Sequence, residues 1–540
     1  MEQAQTSDML FDRLREIVGT QHVLSVPNEV ELETRTCIPY RQIPDCIVYP
    51  DAAAQVQRIV LLAHELRVPI WTVSTGKNWG YGEKSACYRG GITMVLERMK
   101  RIEVVDEQLG YAVIEPGVTY RELNRYLKEN NLALWSDSAG TTESASVIGN
   151  ALDKGRGLTP YADHFGSLCG MEVVLADGSL LRTGNVTETP NQIWNLYKWG
   201  VGPYLDGLFA QSNFGVVVKS GVWLMPEPEA FDFLAFEYTK SLDLFPEMID
   251  DLRKLVFKGV LRCRPHVAND FAMLCIVSQY PKHLLNGQRS LGPEAMAQWR
   301  KEHGVSPWTF GCGLYGSARE VRDQRRTLKK TLGKYGRLWS FGRATRSDWI
   351  GKILFEVARR GARLTGKSSA FLAQIKPAAD LFRGIPTDEF ARQVYFKSHA
   401  EKPAAAFDPP KDQCGFIWIG PVVPFRSKSV SEVLDKAKRI FANYDFDFFV
   451  EVIIESPRAL LLLFGVFYDK ADAADAQRAT DWYSQIRTEM IDSGYPPYRE
   501  TAQSSPHVFD ANPTTRKFLT SIKDAVDLDR TLAPGRYGIS

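Results

Sequence analysis

Apolar positions along the first 230 residues alternate between two rhythms, which predict short strands separated by amphipathic helices. A strand is expected over 46–49. Asp51 then caps a helix over 52–67, whose Val56, Ile59, Val60 and Ala63 recur at helical spacing. A second strand, 69–73, runs into Ser74-Thr75-Gly76-Lys77-Asn78-Trp79-Gly80-Tyr81-Gly82. The glycines at 76, 80 and 82 predict a tight loop whose backbone can approach a ligand closely. Further strands are expected over 92–96 and 111–115, with a Pro116-Gly117 turn and then a helix over 120–131. Segments 171–175 and 180–183 flank Asp177-Gly178, a hairpin signal.

Near 225–229, where two prolines sit among acidic residues, the pattern changes to strands mixed with longer helices. Helices are expected over 244–254, 349–360 and 430–443, and a strand pair over 446–454 and 459–467. The apolar run 459–468 is about half a membrane span, so it reads as a core strand. The last fifty residues read as loop-rich and end in Leu532-Ala533-Pro534-Gly535-Arg536-Tyr537-Gly538, a tract expected to return to the first domain. The fold class is α+β, with a second α+β domain placed over the first.

Composition narrows the function. The 540 residues carry 66 basic and 64 acidic side chains, a net charge of +2, with 44% hydrophobic and 11% aromatic residues. Such a chain is globular, and its near-neutral balance speaks against nucleic-acid binding, which needs a basic face. Arg325, Arg326, Lys329 and Lys330 read as a solvated helix face. The eight cysteines (37, 46, 87, 169, 263, 275, 312 and 414) form no Cys-x-x-Cys pair and no zinc spacing. They predict reduced thiols in a cytoplasmic protein without a metal site. The polar, acidic first eight residues show no secretory signal, and no membrane segment is expected.

Two motifs match in letters only. Gly361-Ala362-Arg363-Leu364-Thr365-Gly366-Lys367-Ser368 fits a phosphate loop, but a helical pattern precedes it where a buried strand is required. Gly311-Cys312-Gly313-Leu314-Tyr315-Gly316 fits a dinucleotide fingerprint, yet no acid follows about twenty residues on. It reads as a glycine-bearing strand.

Four glycine-rich turns carry more: 76–82, 115–118, 146–157 and 213–217. Their backbone N–H groups can form nests for a pyrophosphate. The wording of Gly76-Lys77-Asn78-Trp79-Gly80-Tyr81-Gly82, Glu115-Pro116-Gly117-Val118, Leu158-Thr159-Pro160-Tyr161-Ala162-Asp163-His164 and Gln211-Ser212-Asn213-Phe214-Gly215 resembles the vanillyl-alcohol oxidase and 4-cresol methylhydroxylase flavoproteins. So do Gly170-Met171-Glu172-Val173-Val174-Leu175-Ala176-Asp177-Gly178, Trp223-Leu224-Met225-Pro226, Gly494-Tyr495-Pro496-Pro497-Tyr498-Arg499 and the terminal Ala533-Pro534-Gly535-Arg536-Tyr537-Gly538. The likeness is dense over 46–228 and returns after about 412.

The resemblance implies an FAD-binding domain over 1–228 and 490–540 and a cap holding the substrate over 229–489. It implies FAD contacts at Thr75, Gly76, Lys77, Asn78, Gly80, Pro116, Gly117, Ser146, Val147, Gly149, Asn150, Gly157, Tyr161, Gly215, Val217 and Arg536. Tyr81, Tyr498 and Arg499 stand where the family holds a phenol as phenolate. Glu451 corresponds to a pocket acid that activates water, and Trp418 walls the aromatic pocket or fills the cap core. The tract 137–142, where an alcohol-oxidising relative places its base, is shifted by one residue, which leaves that base unplaced, with Asp137 a candidate for it. His164 reads as a buried structural histidine. Several relatives tether FAD through a cap histidine or tyrosine, but Phe416 stands at the matching position, so FAD is expected to bind without a covalent bond.

The activity implied is oxidation or hydroxylation of para-substituted phenols, by hydride transfer from the benzylic carbon to flavin N5 through a quinone methide. The acceptor is O2 or a cytochrome, and the assembly a homodimer. Another alcohol oxidised on the same scaffold, a flavin shell without turnover and a nucleotide-dependent protein using 361–368 are the alternatives.

Overall fold

Helices and strands form largely where side-chain spacing calls for them. In this computed structural model, residues 2–342, 372–398 and 408–539 are described, with 353, 356, 357, 360 and 361 described singly. Apart from Gly361, the phosphate-loop match lies outside the described residues, as does most of the helix expected over 349–360.

The helix Ala53–Leu66 buries Val56, Ile59, Val60 and Ala63 as its spacing requires. Its N-cap is Ala52 without a side-chain bond, not Asp51. The Asp51 carboxylate instead accepts from Arg98 at 2.9 Å. Strands Cys46–Val48, Ile92–Val95 and Ile70–Val73 pair in parallel, and Val23–Leu24 adds an antiparallel edge. A second, antiparallel sheet follows the order Ile102–Asp106, Tyr111–Ile114, Val216–Trp223, Leu168–Val174 and Leu180–Arg182. Its last two strands form the expected hairpin, with Gly178 at φ +78° in the turn, a conformation that favours glycine.

The cap is built on an eight-stranded sheet. Its path runs Gly336–Ser340, Ala230–Tyr238, Trp308–Gly316, His266–Asn269, Phe449–Ile454, Ala459–Tyr468 and Gly415–Ile419, with Val422–Pro424 also on Ala459–Tyr468. The dinucleotide-like glycine run lies inside Trp308–Gly316, paired on both sides, and so is strand. Helices Phe245–Phe257, Ala318–Leu332 and Ser427–Asn443 bury apolar stripes and hold solvated outer faces; Arg326, Lys329 and Lys330 are exposed on one of them.

Two terminal helices were not expected, and the second contradicts the loop-rich reading of the C-terminus. Glu2–Val18 is helical, because Leu10, Leu14 and Val18 share one face and are buried beside Ala53–Leu66; the polar first residues hid this stripe. The loop-rich end contains the helix Pro513–Val526. That helix places Lys523, fully buried, at hydrogen-bond distance from the Asn213 and Leu532 carbonyls (2.6 and 2.7 Å) and the Asp527 carboxylate (2.7 Å). The tail then returns to the first domain as expected: the Ile70 N–H donates to the Thr531 carbonyl and the Ala533 N–H to the Ile70 carbonyl, each at 2.8 Å, and Arg536 donates to the Thr72 carbonyl at 3.1 Å. All eight cysteines are unpaired, and seven are buried. Among the described residues, no helix is long and apolar enough to cross a membrane.

Candidate active site

Side chains of a strand alternate between faces, so one face of the cap sheet collects every second residue. Cross-strand register places Ala235, Gly311, Ala268, Glu451, Leu463 and Trp418 together on such a face. That face walls a cavity of about 450 Å³. The opposite wall comes from the glycine turn 74–83, the segment 145–156, residues 215–217 and Arg536 with Tyr537.

At the Gly415–Ile419 end of the sheet, the turn bearing Tyr81 presses on the strand. Gly80 has φ +79°, and a Cβ there would lie 2.4 Å from Trp418 Cδ1 and 2.8 Å from Phe416 Cε2, so only glycine fits. Tyr498 is anchored by its N–H to the Gly420 carbonyl at 3.0 Å. Arg499 is only 7% exposed, and its guanidinium carbon stands 5.0 Å from the Tyr81 ring centre and 5.2 Å from that of Tyr498. It donates to the Asp153 carbonyl (2.9 and 2.6 Å) and to Asn78 Oδ1 (3.1 Å). Burial works against its charge, but Tyr498, Asp153 and Tyr81 more than offset this and hold its pKa above the usual value. Burial and the neighbouring Tyr498 push the Tyr81 phenol well above its usual pKa, against the pull of Arg499. The Tyr81 hydroxyl is therefore a proton donor at neutral pH, and it is buried without a well-formed hydrogen bond of its own.

Toward the middle of the sheet, Glu451 Oε2 lies 3.1 Å from His266 Nδ1, with both residues on the cavity wall. The second ring nitrogen, Nε2, is buried without a partner. Trp418 both lines the cavity and packs on Phe416, Phe449 and Phe467, so its two expected roles coincide.

Of the positions expected to touch a cofactor, Thr75, Gly76, Lys77, Asn78, Ser146, Gly149, Asn150, Gly215, Val217 and Arg536 line the cavity. A dinucleotide fits their chemistry, because backbone is exposed where the two turns face each other. A Cβ on Gly149 would fall 2.6 Å from Ser74 Oγ and fill that gap.

The other six expected cofactor positions are off this wall. Gly80 serves the close contact with the cap strand. Gly117 packs against the Leu96, Glu97 and Met99 carbonyls, each within 2.7 Å of an added Cβ, and the Pro116 carbonyl accepts from Ser146 Oγ at 2.5 Å. Val147 is buried in an apolar cluster, and Tyr161 packs against the cap core. Gly157 makes room for Asp137 and His164, whose Oδ2 and Nε2 would lie 1.7 and 2.6 Å from a Cβ.

Asp137 is not a free base. Its carboxylate holds His164 Nε2 at 3.0 Å and accepts the Leu158 and Thr159 N–H groups. His164 Nδ1 meets the Tyr120 hydroxyl and Asn150 Oδ1, as a structural histidine should.

Glu83 is buried, with φ +50°, and accepts the Gly80 N–H at 2.8 Å and the Cys37 N–H at 3.2 Å. Burial raises its pKa from 4.5 to about 7, since the two N–H bonds and Lys470 offset only part of the desolvation. The folded state thus holds this proton more tightly than the unfolded chain. The associated stability is fully present below pH 4.5 and is lost as pH climbs to about 7, a decline of about 3 kcal/mol. Urea unfolding of Glu83→Gln between pH 4.5 and 8 is expected to lose that slope; identical slopes in both proteins would refute the assignment.

Sequence reasoning missed His266, Asp153 and Glu83. His266 meets Glu451 across strands 185 residues apart, a pairing with no local signature. Asp153 sits one turn past the Ser146–Asn150 run and binds Asn78 Nδ2 and the Tyr537 hydroxyl, each at 2.8 Å. Glu83, next to a recognised glycine turn, was legible in principle.

Residues 44–184 match the FAD binding domain family. The chain is 32% identical to the 1'-carboxy-chondrochloren decarboxylase of Chondromyces crocatus, over 97% of this chain and 96% of that protein. It is 29% identical to the 4-cresol dehydrogenase [hydroxylating] flavoprotein subunit of Pseudomonas putida, over 98% and 94%. The crystal structure of p-cresol methylhydroxylase with substrate bound superposes with a TM-score of 0.88 at 27% identity, covering 99% of this chain and 97% of that one.

Proposed function

The chain belongs to the vanillyl-alcohol oxidase/4-cresol methylhydroxylase family of FAD-dependent oxidoreductases, and on that basis we propose that it oxidises para-substituted phenols at the carbon attached to the ring. One observation supports this reading above the others. A buried tyrosine hydroxyl without a good hydrogen bond stands beside a buried guanidinium, and buried polar groups of that kind are satisfied by a ligand oxygen.

A phenol with a pKa near 10 is neutral at pH 7. The Arg499 charge and the Tyr81 and Tyr498 hydroxyls favour its anion, which delivers electron density through the ring to the para carbon. FAD, when bound, supplies a two-electron oxidant that takes hydride from the benzylic carbon. Thr75, Gly76, Lys77, Asn78, Ser146, Gly149, Asn150, Gly215, Val217 and Arg536 would hold it. The oxidised substrate is a quinone methide. Glu451 and His266 are placed to receive a proton from water as its oxygen bonds to that carbon and the ring recovers its phenolate.

Domain limits of 1–228 with 490–540, and 229–489, belong to the same reading, as does a homodimer that passes electrons to O2 or a cytochrome. Phe416 lines the cavity and has no atom able to bond the flavin, which supports non-covalent FAD. The likeness to a decarboxylase supports a second reading, in which the quinone methide left by hydride loss sheds a carboxylate from the adjacent side-chain carbon as CO2, the freed electron pair forming the side-chain double bond and restoring the phenolate.

Purified protein is expected to be yellow, to bleach anaerobically with 4-ethylphenol or vanillyl alcohol, and to release its flavin on acid precipitation. A flavin that no phenol reduces would sink the phenolic reading. Colour remaining in the acid pellet would sink the non-covalent one.

A further inference from the structure

The cavity does not end at Glu451. Sheet order places Trp418 on one edge strand, then Leu463, Glu451, Ala268, Thr309 and finally Ala235 on successive strands. From the Glu451 strand to the Ala235 strand is three strand spacings, about 14 Å. All of this face lines the one cavity. Small side chains at Ala235, Ala268 and Gly311 keep the far part open, while Met273 and Ile276 of the helix Asp270–Val277, with Phe390 from a turn, add apolar lining. A para-methyl or para-ethyl group ends far short of that wall. The arm also carries buried oxygens without partners at Thr309 Oγ1, Gln374 Oε1 and Gln393 Oε1, all on the cavity lining. Apolar walls dotted with two unsatisfied amide acceptors and a hydroxyl that can donate or accept call for a mostly hydrocarbon chain bearing an N–H or O–H donor.

We infer that the substrate is a 4-substituted phenol whose para chain is long, largely apolar and donor-bearing, and lies along the cap sheet beyond Glu451. This rests on the phenolic reading and extends it to the other end of the ligand.

The test is binding to the FAD-loaded enzyme, read anaerobically from the flavin spectrum across 4-methyl-, 4-ethyl-, 4-pentyl- and 4-hexylphenol, the matching alkylbenzenes and 4-(6-hydroxyhexyl)phenol. Each buried methylene should tighten binding about fourfold, a gain on the order of a hundredfold or more from methyl to pentyl. Ala378→Trp, which fills the arm from its helix side, should cut the pentyl-to-methyl preference at least about tenfold. Thr309→Val should weaken the hydroxyhexyl compound relative to 4-hexylphenol. Affinity that levels off after the ethyl group, or a preference unmoved by Ala378→Trp, would overturn the arm and leave the phenol end intact. Alkylbenzenes that bind as tightly as the phenols, with the length dependence kept, would instead overturn the phenol end and leave the arm.

Discussion

Arg499→Ala should reduce flavin reduction by phenols by about 10² to 10³-fold, the loss seen when one preorganised donor to a developing or held oxyanion is removed. The guanidinium is the positive group facing both tyrosine rings, and its own bonds to Asp153 and Asn78 fix it in place. Asp153 approaches within 3.5 Å, so part of that charge is already balanced, and the Tyr81 and Tyr498 hydroxyls carry correspondingly more of the anion. Stopped-flow reduction with 4-ethylphenol reads the effect, and the visible spectrum before mixing shows whether FAD remains bound. Arg499→Lys keeps a charge but not the fork that spans Asp153 and Asn78, and is expected to recover only part of the rate. Wild-type reduction rates in the alanine variant would remove the phenolate assignment.

Lys523→Met should destabilise the protein by about 3 to 5 kcal/mol, the usual result of stripping one partner from a buried ion pair. Lysine and aspartate are both fully buried, and the ammonium group also satisfies two carbonyls, one from the loop before Val216–Trp223 and one from the returning tail. Asp527 in turn accepts the Thr531 and Leu532 N–H groups. Its uncompensated charge would loosen the strand contact at Ile70 and, with it, Arg536 on the cavity wall. Thermal and urea unfolding measure the loss; an unchanged midpoint would show that the pair is not what fastens the tail.

Local pattern made much of this architecture readable. The helix at 53–66 follows from four apolar residues at the right intervals, and the hairpin at 177–178 from two turn residues whose conformational needs are specific. The helices at 2–18 and 513–526 escaped because their buried stripes are thin and interrupted by charge; one of the buried residues is a lysine. At the cavity, Tyr81, Tyr498 and Arg499 were named from wording and stand together. His266 and the arm beyond it could not be named so, because they exist only through pairing between strands distant in the chain. Glycines were the ambiguous signal. Gly76 and Gly149 open onto the cavity, whereas Gly117 and Gly157 are needed for packing beneath it, and the letters alone are identical.

The tail that crosses back to Ile70 sets a timetable for biosynthesis. Translation proceeds from the amino end at roughly 5 to 20 residues per second, so the early sheets emerge and collapse well before residues 523–539 leave the ribosome. Yet Arg536 belongs to the cavity wall and Lys523 seals the joint behind it. With Arg536 holding FAD as proposed, cofactor capture is expected to wait until those residues are free of the exit tunnel, and nascent chains stalled upstream of 523 should be colourless.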